Sequence, residues 1–156
     1  MRILMLGGLL VAGLMLGTAS NAQTWDNPLP LPNGLSNFNT CGMPWQTLYL
    51  DGGAFQISAP TVVYRIDQSW RGGGRMNRPW SVTLSPQDWT DMSLWVCQQR
   101  SGNVIYQCVD ASDNFGNGFL EHVTVPAVGG TYYIIVTNNI ENQPPVCGQY
   151  TLTAFH

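Results

Sequence analysis

The sequence contains no lysine: all six basic residues are arginine, and only 10% of the 156 residues are charged, against about 25% in ordinary soluble domains. A surface so poor in charge is solvated by Asn, Gln, Ser, Thr and Gly, which suits an extracellular setting. Helical periodicity is missing from about residue 46 onward, so no amphipathic helix is available to build a helical core. Histidine is scarce too, with only His122 and His156. G-x-S-x-G, H-E-x-x-H and glycine-rich phosphate-loop patterns do not occur, so the usual nucleophile-and-base chemistries lack their parts. Paired C-x₂-C spacings are absent as well, which argues against structural zinc. These absences point to a chain without catalysis of its own.

What is present begins with an export signal. Arg2 precedes an almost unbroken apolar stretch over 3–16, and small residues follow, with Ser20 and Ala22 at the −3 and −1 positions of a cleavage site. Residues 1–22 are therefore expected to be a signal peptide, and the product to be secreted or periplasmic. No other stretch is long and apolar enough for a membrane span. Cleavage after Ala22 leaves 156 less 22, or 134, residues, the size of one domain around one core. Five Arg then face nine acidic residues, a formal charge of −4. An anionic chain of this kind is a poor candidate for nucleic acid.

Pro28, Pro30 and Pro32 alternate just after the signal. Proline lacks the backbone donor, so 23–40 is expected to be an extended arm, with the folded domain over 41–156. Beyond it, short β-branched and aromatic runs separated by Gly, Pro, Asn and Asp predict strands at 46–50, 54–58, 61–67, 80–84, 92–99, 104–110, 119–125, 131–138 and 149–155. Regular short strands with turn signals mean an all-β fold, an antiparallel sandwich or barrel. In 131–138, Tyr132, Ile134 and Val136 share one face and Tyr133, Ile135 and Thr137 the other. Tyr133 and Ile135 would make the outer face unusually apolar.

The clearest hairpin is 92–110, turning at Gly102-Asn103, where glycine at the first central position suits a type II′ turn. That register places Cys97 opposite Cys108, close enough for a disulfide with some local twist. An even cysteine count in an exported chain reads as two disulfides, so the remaining pair is Cys41 and Cys147.

"DMSLWVCQQRSGNVIYQCVDASDN", "EHVTVPAVGGTYYIIVTNN" and "CGQYTLTAF" resemble the bacterial pre-peptidase C-terminal domain family. The matching pieces are Asp91 to Val96, Ser101-Gly102-Asn103, Asp110 to Asn114, Pro126 to Tyr133 and Tyr150 to Thr153. The resemblance implies a jelly-roll-like β-sandwich of about eight strands and an accessory role beside exported enzymes. Asp110, Asp113 and Asn114 crowd one loop with Glu121 shortly after, and these four are the candidate oxygen ligands of a calcium site, which some relatives of such a sandwich also hold. The four cysteines depart from the usual pattern of that family. No other cofactor is expected.

The most distinctive stretch is "WRGGGRMNRPW", 70–80, which holds three of the five Arg residues after the signal between two tryptophans. Trp faces stack on sugar rings, and Arg forks pair with carboxylate, sulfate or phosphate. Trp70, Arg71, Arg75, Arg78 and Trp80 are accordingly the candidate ligand-binding residues, for a polysaccharide or another cell-envelope component. The rival reading is a structural or interaction protein: an assembly subunit, or an inhibitor or accessory of a secreted enzyme, using the apolar Tyr133 face and the proline-rich arm in self-association or partner binding. Of the two disulfides, Cys41–Cys147 closes the longer loop and contributes more chain entropy. Replacing both its cysteines with Ala is expected to lower unfolding stability by roughly 4–5 kcal/mol in chemical denaturation.

Overall fold

The computed structural model describes residues 27–68, 78–87, 90–99, 106–114, 116, 118–138 and 147–156. The signal peptide expected over 1–22 lies outside them. Ten strands form two sheets: β1 (Leu29–Pro30), β2 (Gly34–Asn39), β3 (Trp45–Leu50), β4 (Phe55–Gln68), β5 (Trp80–Pro86), β6 (Met92–Gln99), β7 (Tyr106–Ser112), β8 (Glu121–Val125), β9 (Gly130–Asn138) and β10 (Gln149–Ala154). One sheet runs β1-β4-β3-β7-β6-β9, with β9 also paired to β4, and the other runs β2-β10-β5-β8. The fold is an all-β sandwich, one of the two architectures the strand pattern allows, with ten strands among the described residues where about eight were expected and with parallel pairings of β1 with β4 and β3 with β7. Among the described residues no helix is long and apolar enough to cross a membrane.

The first core lies between the sheets. Val62, Tyr64, Leu94, Val96, Tyr132, Ile134 and Val136 from the six-stranded sheet meet Val82, Leu84, Val123, Val125, Tyr150 and Leu152 from the four-stranded one. The Tyr64 and Tyr150 hydroxyls meet across it at 2.7 Å. Phe38 packs edge-on to Tyr64 and stacks on Tyr150. Burial pushes both phenols above their ordinary titration range, chiefly by desolvation, so the pair stays neutral.

The outer face expected at Tyr133 and Ile135 is instead a second core. Pairings run in a closed circuit, β4 to β3 to β7 to β6 to β9 and back to β4. The sheet therefore curls on itself and encloses Leu48, Leu50, Ile57, Ala59, Val63, Trp95, Cys97, Tyr133 and Ile135. Strand β9 is buried on both faces from Tyr132 to Asn138, so its sequence shows no polar alternation.

Two further expectations are corrected. The segments 54–58 and 61–67 form one continuous strand, β4, through Pro60. Residues up to Pro60 pair with β3 and those from Thr61 with β9, so the missing N–H falls where β4 changes partner. The proline-rich arm is likewise part of the sandwich. β1 pairs in parallel with β4 through Leu29 and Pro30, and β2 pairs with β10 from Gly34 to Asn39. The alternation that argued against pairing is what permits it: Leu29 and Leu31 turn toward β4 and the core, and Leu31 N–H donates to the Arg65 carbonyl at 2.9 Å. The prolines present their donorless edge outward. Gly34, at φ 99°, turns the chain from one sheet to the other.

Both disulfides join the expected partners, Cys41 with Cys147 and Cys97 with Cys108. In the β6–β7 hairpin Cys97 sits directly opposite Cys108, and the register shifts next to it, leaving Val109 as a bulge. Beside the other bridge, Thr40 and Gly148 are latched by N–H donation in both directions. Leu31→Pro, which removes the paired donor and a core side chain, is expected to cost about 2–5 kcal/mol in urea unfolding. Pro30→Ala, on the exposed edge, should stay within about 1 kcal/mol of wild type.

Candidate functional site

The end of β4 and the start of β5 are the two stems of the Trp/Arg-rich segment. Trp80, Val82 and Leu84 share the inner face of β5. The last two are fully buried, and Trp80 is half-buried at the open end. The antiparallel register that pairs Ala154 with Val82 brings His156 opposite Trp80, with ring centroids 5.3 Å apart. From the facing sheet, the Gln68 amide, assigned the orientation that satisfies both its nitrogen and its oxygen, donates to the Pro126 and Val128 carbonyls and accepts from Trp80 Nε1 at 3.2 Å. The indole N–H is thus satisfied, and the ring is held in place. Between these elements lies a cleft of ≈ 340 Å³ lined by Ile66, Gln68, Arg78, Pro79, Trp80, Phe155 and His156. Phe155 is 69% exposed.

The charge in the cleft comes from Arg78, which is exposed. Asp67 also borders it, but alternation along β4 turns its carboxylate to the opposite face. There its Oδ1 accepts from Thr131 Oγ1 at 2.6 Å and from the Arg65 guanidinium at 3.0 Å. The Thr131 hydrogen bond and then Arg65 hold the Asp67 carboxyl below its usual range.

Of the five ligand-binding residues expected from sequence, Arg78 and Trp80 meet in the cleft, while Trp70, Arg71 and Arg75 lie outside the described residues. Ile66, Gln68, Phe155 and His156 were not legible as site residues. Their proximity comes from strand register between segments far apart in the chain. His156 is packed on Trp80 and donates its N–H to Asn33 Oδ1 at 3.4 Å. His122 faces outward on β8, as alternation predicts, with Nδ1 3.0 Å from the Thr83 hydroxyl.

Three of the four candidate calcium ligands, Asp110, Asn114 and Glu121, are engaged in hydrogen bonds. Glu121 is 1% exposed. Its carboxylate accepts from Ser112 Oγ at 2.6 Å, from the Asn114 backbone N–H at 3.0 Å and from Asn114 Nδ2 at 3.2 Å. Asp110 accepts from the backbone N–H groups of Ala111 and Thr124. Donor hydrogens thus surround the Glu121 carboxylate and take one lone pair on each Asp110 oxygen, so both groups already serve the loop and β8. Among the described residues no three His, Cys, Asp or Glu side chains gather as a metal cluster. The Glu121 clasp pins the β7–β8 loop, and Asp110 caps a free donor on the edge strand β8.

No family model matches the chain, and no curated protein matches it either. Among solved structures the chain is similar to the pre-peptidase C-terminal domain of a collagenase from Bacillus anthracis, at 12% identity and a TM-score of 0.44, over 81% of this chain and 92% of that one. It is also similar to PliG of Aeromonas hydrophila, a periplasmic inhibitor of g-type lysozyme, at 11% identity and a TM-score of 0.45, over 81% and 93% of the two chains. Both are likenesses of fold.

Asp67 has a depressed titration, so its ion pair and hydrogen bonds contribute stability above the unfolded carboxylate's range, and that stability is lost as pH falls through the lowered folded value. Asp67→Asn is expected to be less stable than wild type at neutral pH. The two should converge in urea titrations as pH falls through the lowered folded value and the Asp67 carboxyl becomes protonated in both states.

Proposed function

We propose that the protein is an exported, non-catalytic binding module that takes a glycan or another acidic cell-envelope component in the Trp80–Arg78 cleft. One observation carries this reading. A half-buried indole, its N–H fixed by Gln68, stands beside an exposed guanidinium in a cleft within the size range of small-ligand sites. An indole face offers a sugar ring its apolar side, and a guanidinium pairs with the carboxylate, sulfate or phosphate of an acidic sugar. Trp70, Arg71 and Arg75, on the segment between the stems, would extend that recognition. The two disulfides suit an oxidising compartment outside the cytoplasm.

The rival reading as an assembly subunit or inhibitor rested on an apolar outer face and a free arm. The first is the second core and the second is paired as β1 and β2, so neither now favours it.

Affinity electrophoresis of the oxidised mature protein through gels holding polygalacturonate, alginate or a neutral polymer tests the cleft. Wild type is expected to be retarded by an acidic polymer. Arg78→Gln, a surface change, should weaken that retardation about tenfold or more, with Trp80→Phe losing less. Equal migration of wild type and Arg78→Gln in every acidic gel would remove the case for the cleft.

A further inference from the structure

A second surface stands at the opposite end of β4. On the face of the β3–β4 hairpin turned away from the second core, Trp45, Thr47 and Tyr49 of β3 pair with Pro60, Ser58 and Gln56 of β4; Pro60 is buried, Ser58 half-buried and Gln56 exposed. Trp45 is 59% and Tyr49 46% exposed. The reverse side of the same hairpin carries Leu48, Leu50, Ile57 and Ala59, all buried in the second core. The hairpin is therefore held firmly from behind while its front holds two large aromatics that the core does not use. Phe55 is different: it is exposed too, but it lies on the core side, with its ring 5.3 Å from that of Trp95.

We infer that this front is a binding platform for an extended, neutral polysaccharide, separate from the acidic-sugar cleft. Trp45 and Tyr49 lie four residues apart on one strand, about 13–14 Å at the usual rise. That span exceeds a single sugar ring and suits a polymer. Between the aromatics the Thr47 and Ser58 hydroxyls stand 3.4 Å apart, and the Gln56 amide lies opposite Tyr49, so hydroxyl and amide groups face the hydroxyls of a sugar chain. None of the six positions carries a charge, which matches a neutral ligand and gives an anionic one no partner. A protein interface would centre on contiguous, close-packed anchors with water excluded. Here polar residues separate the two rings, an arrangement that recognises a wet, hydroxyl-rich partner.

The platform rests on its own residues and not on the cleft. Its test is migration of the oxidised mature protein in gels containing hydroxyethyl cellulose, glucomannan, galactomannan or soluble β-1,3-glucan. The protein runs beside a Trp45→Ala, Tyr49→Ala double variant and a Trp45→Phe, Tyr49→Phe variant that keeps the rings. Unchanged thermal midpoints check folding, and sedimentation velocity reports self-association. Retardation by a neutral polymer that falls about tenfold or more in the Ala variant, and is partly kept by the Phe variant, supports the platform. Retardation by none of these polymers, or retardation that the Ala variant keeps in full, overturns it. A dimer that the Ala variant dissolves, without polymer binding, also overturns it and assigns the face to a second copy of the chain. Because the cleft is read with acidic polymers, each site can fail without hiding the outcome of the other.

Discussion

Double-sided burial of β9 is the constraint on which the rest of the structure depends. A strand with apolar side chains on both faces must be covered twice, and its backbone must be paired on both edges. β4 and β6 supply the edges, and the four-stranded sheet covers one face. The other face is covered by closing the six-stranded sheet into a ring, so that the β3–β4 hairpin and β7 fold over Tyr133 and Ile135. The Tyr132 hydroxyl donates to the Val128 carbonyl at 2.8 Å, which keeps a tyrosine tolerable at that depth.

The same constraint explains why β4 runs for 14 residues. It must serve the ring with its first half and pair with β9 along its second, and Pro60 sits where the duties change. The two ends of β4, paired to Leu50 and Gly130, then lie at opposite ends of the sheet. One end meets the start of β5 and the end of β10 to form the cleft. The other, with β3, carries the aromatic front. The Cys97–Cys108 bridge and the adjacent bulge bring β7 to β3, while the Cys41–Cys147 bridge and the Thr40–Gly148 latch fasten β10 to the chain that leads into β3.

Within the site, Trp80 and Arg78 were legible because local enrichment of Trp and Arg in a glycine-rich segment is visible in any window of the sequence. Gln68, Phe155 and His156 were not, because no local property of these residues distinguishes them. They join the site through the register of β10 on β5 and the facing of β4 across the sandwich. Glu121 is ambiguous for the opposite reason: acidic and amide residues clustered in a loop look alike whether they bind a cation or satisfy the loop's own N–H groups, and only hydrogen-bond geometry separates the two.

By itself the sequence determined the all-β class, most of the strands from β3 onward, the β6–β7 register at the cysteines and, through it, both disulfides. These follow from interactions between near neighbours in the chain, which period, turn residues and cysteine count report directly. Tertiary structure alone decided that the proline-rich stretch is paired, that Tyr133 and Ile135 are enclosed, and which distant residues meet Trp80. Each of these turns on which strand lies beside which, and the strand that can satisfy a free edge or an apolar face is set by packing across the whole molecule.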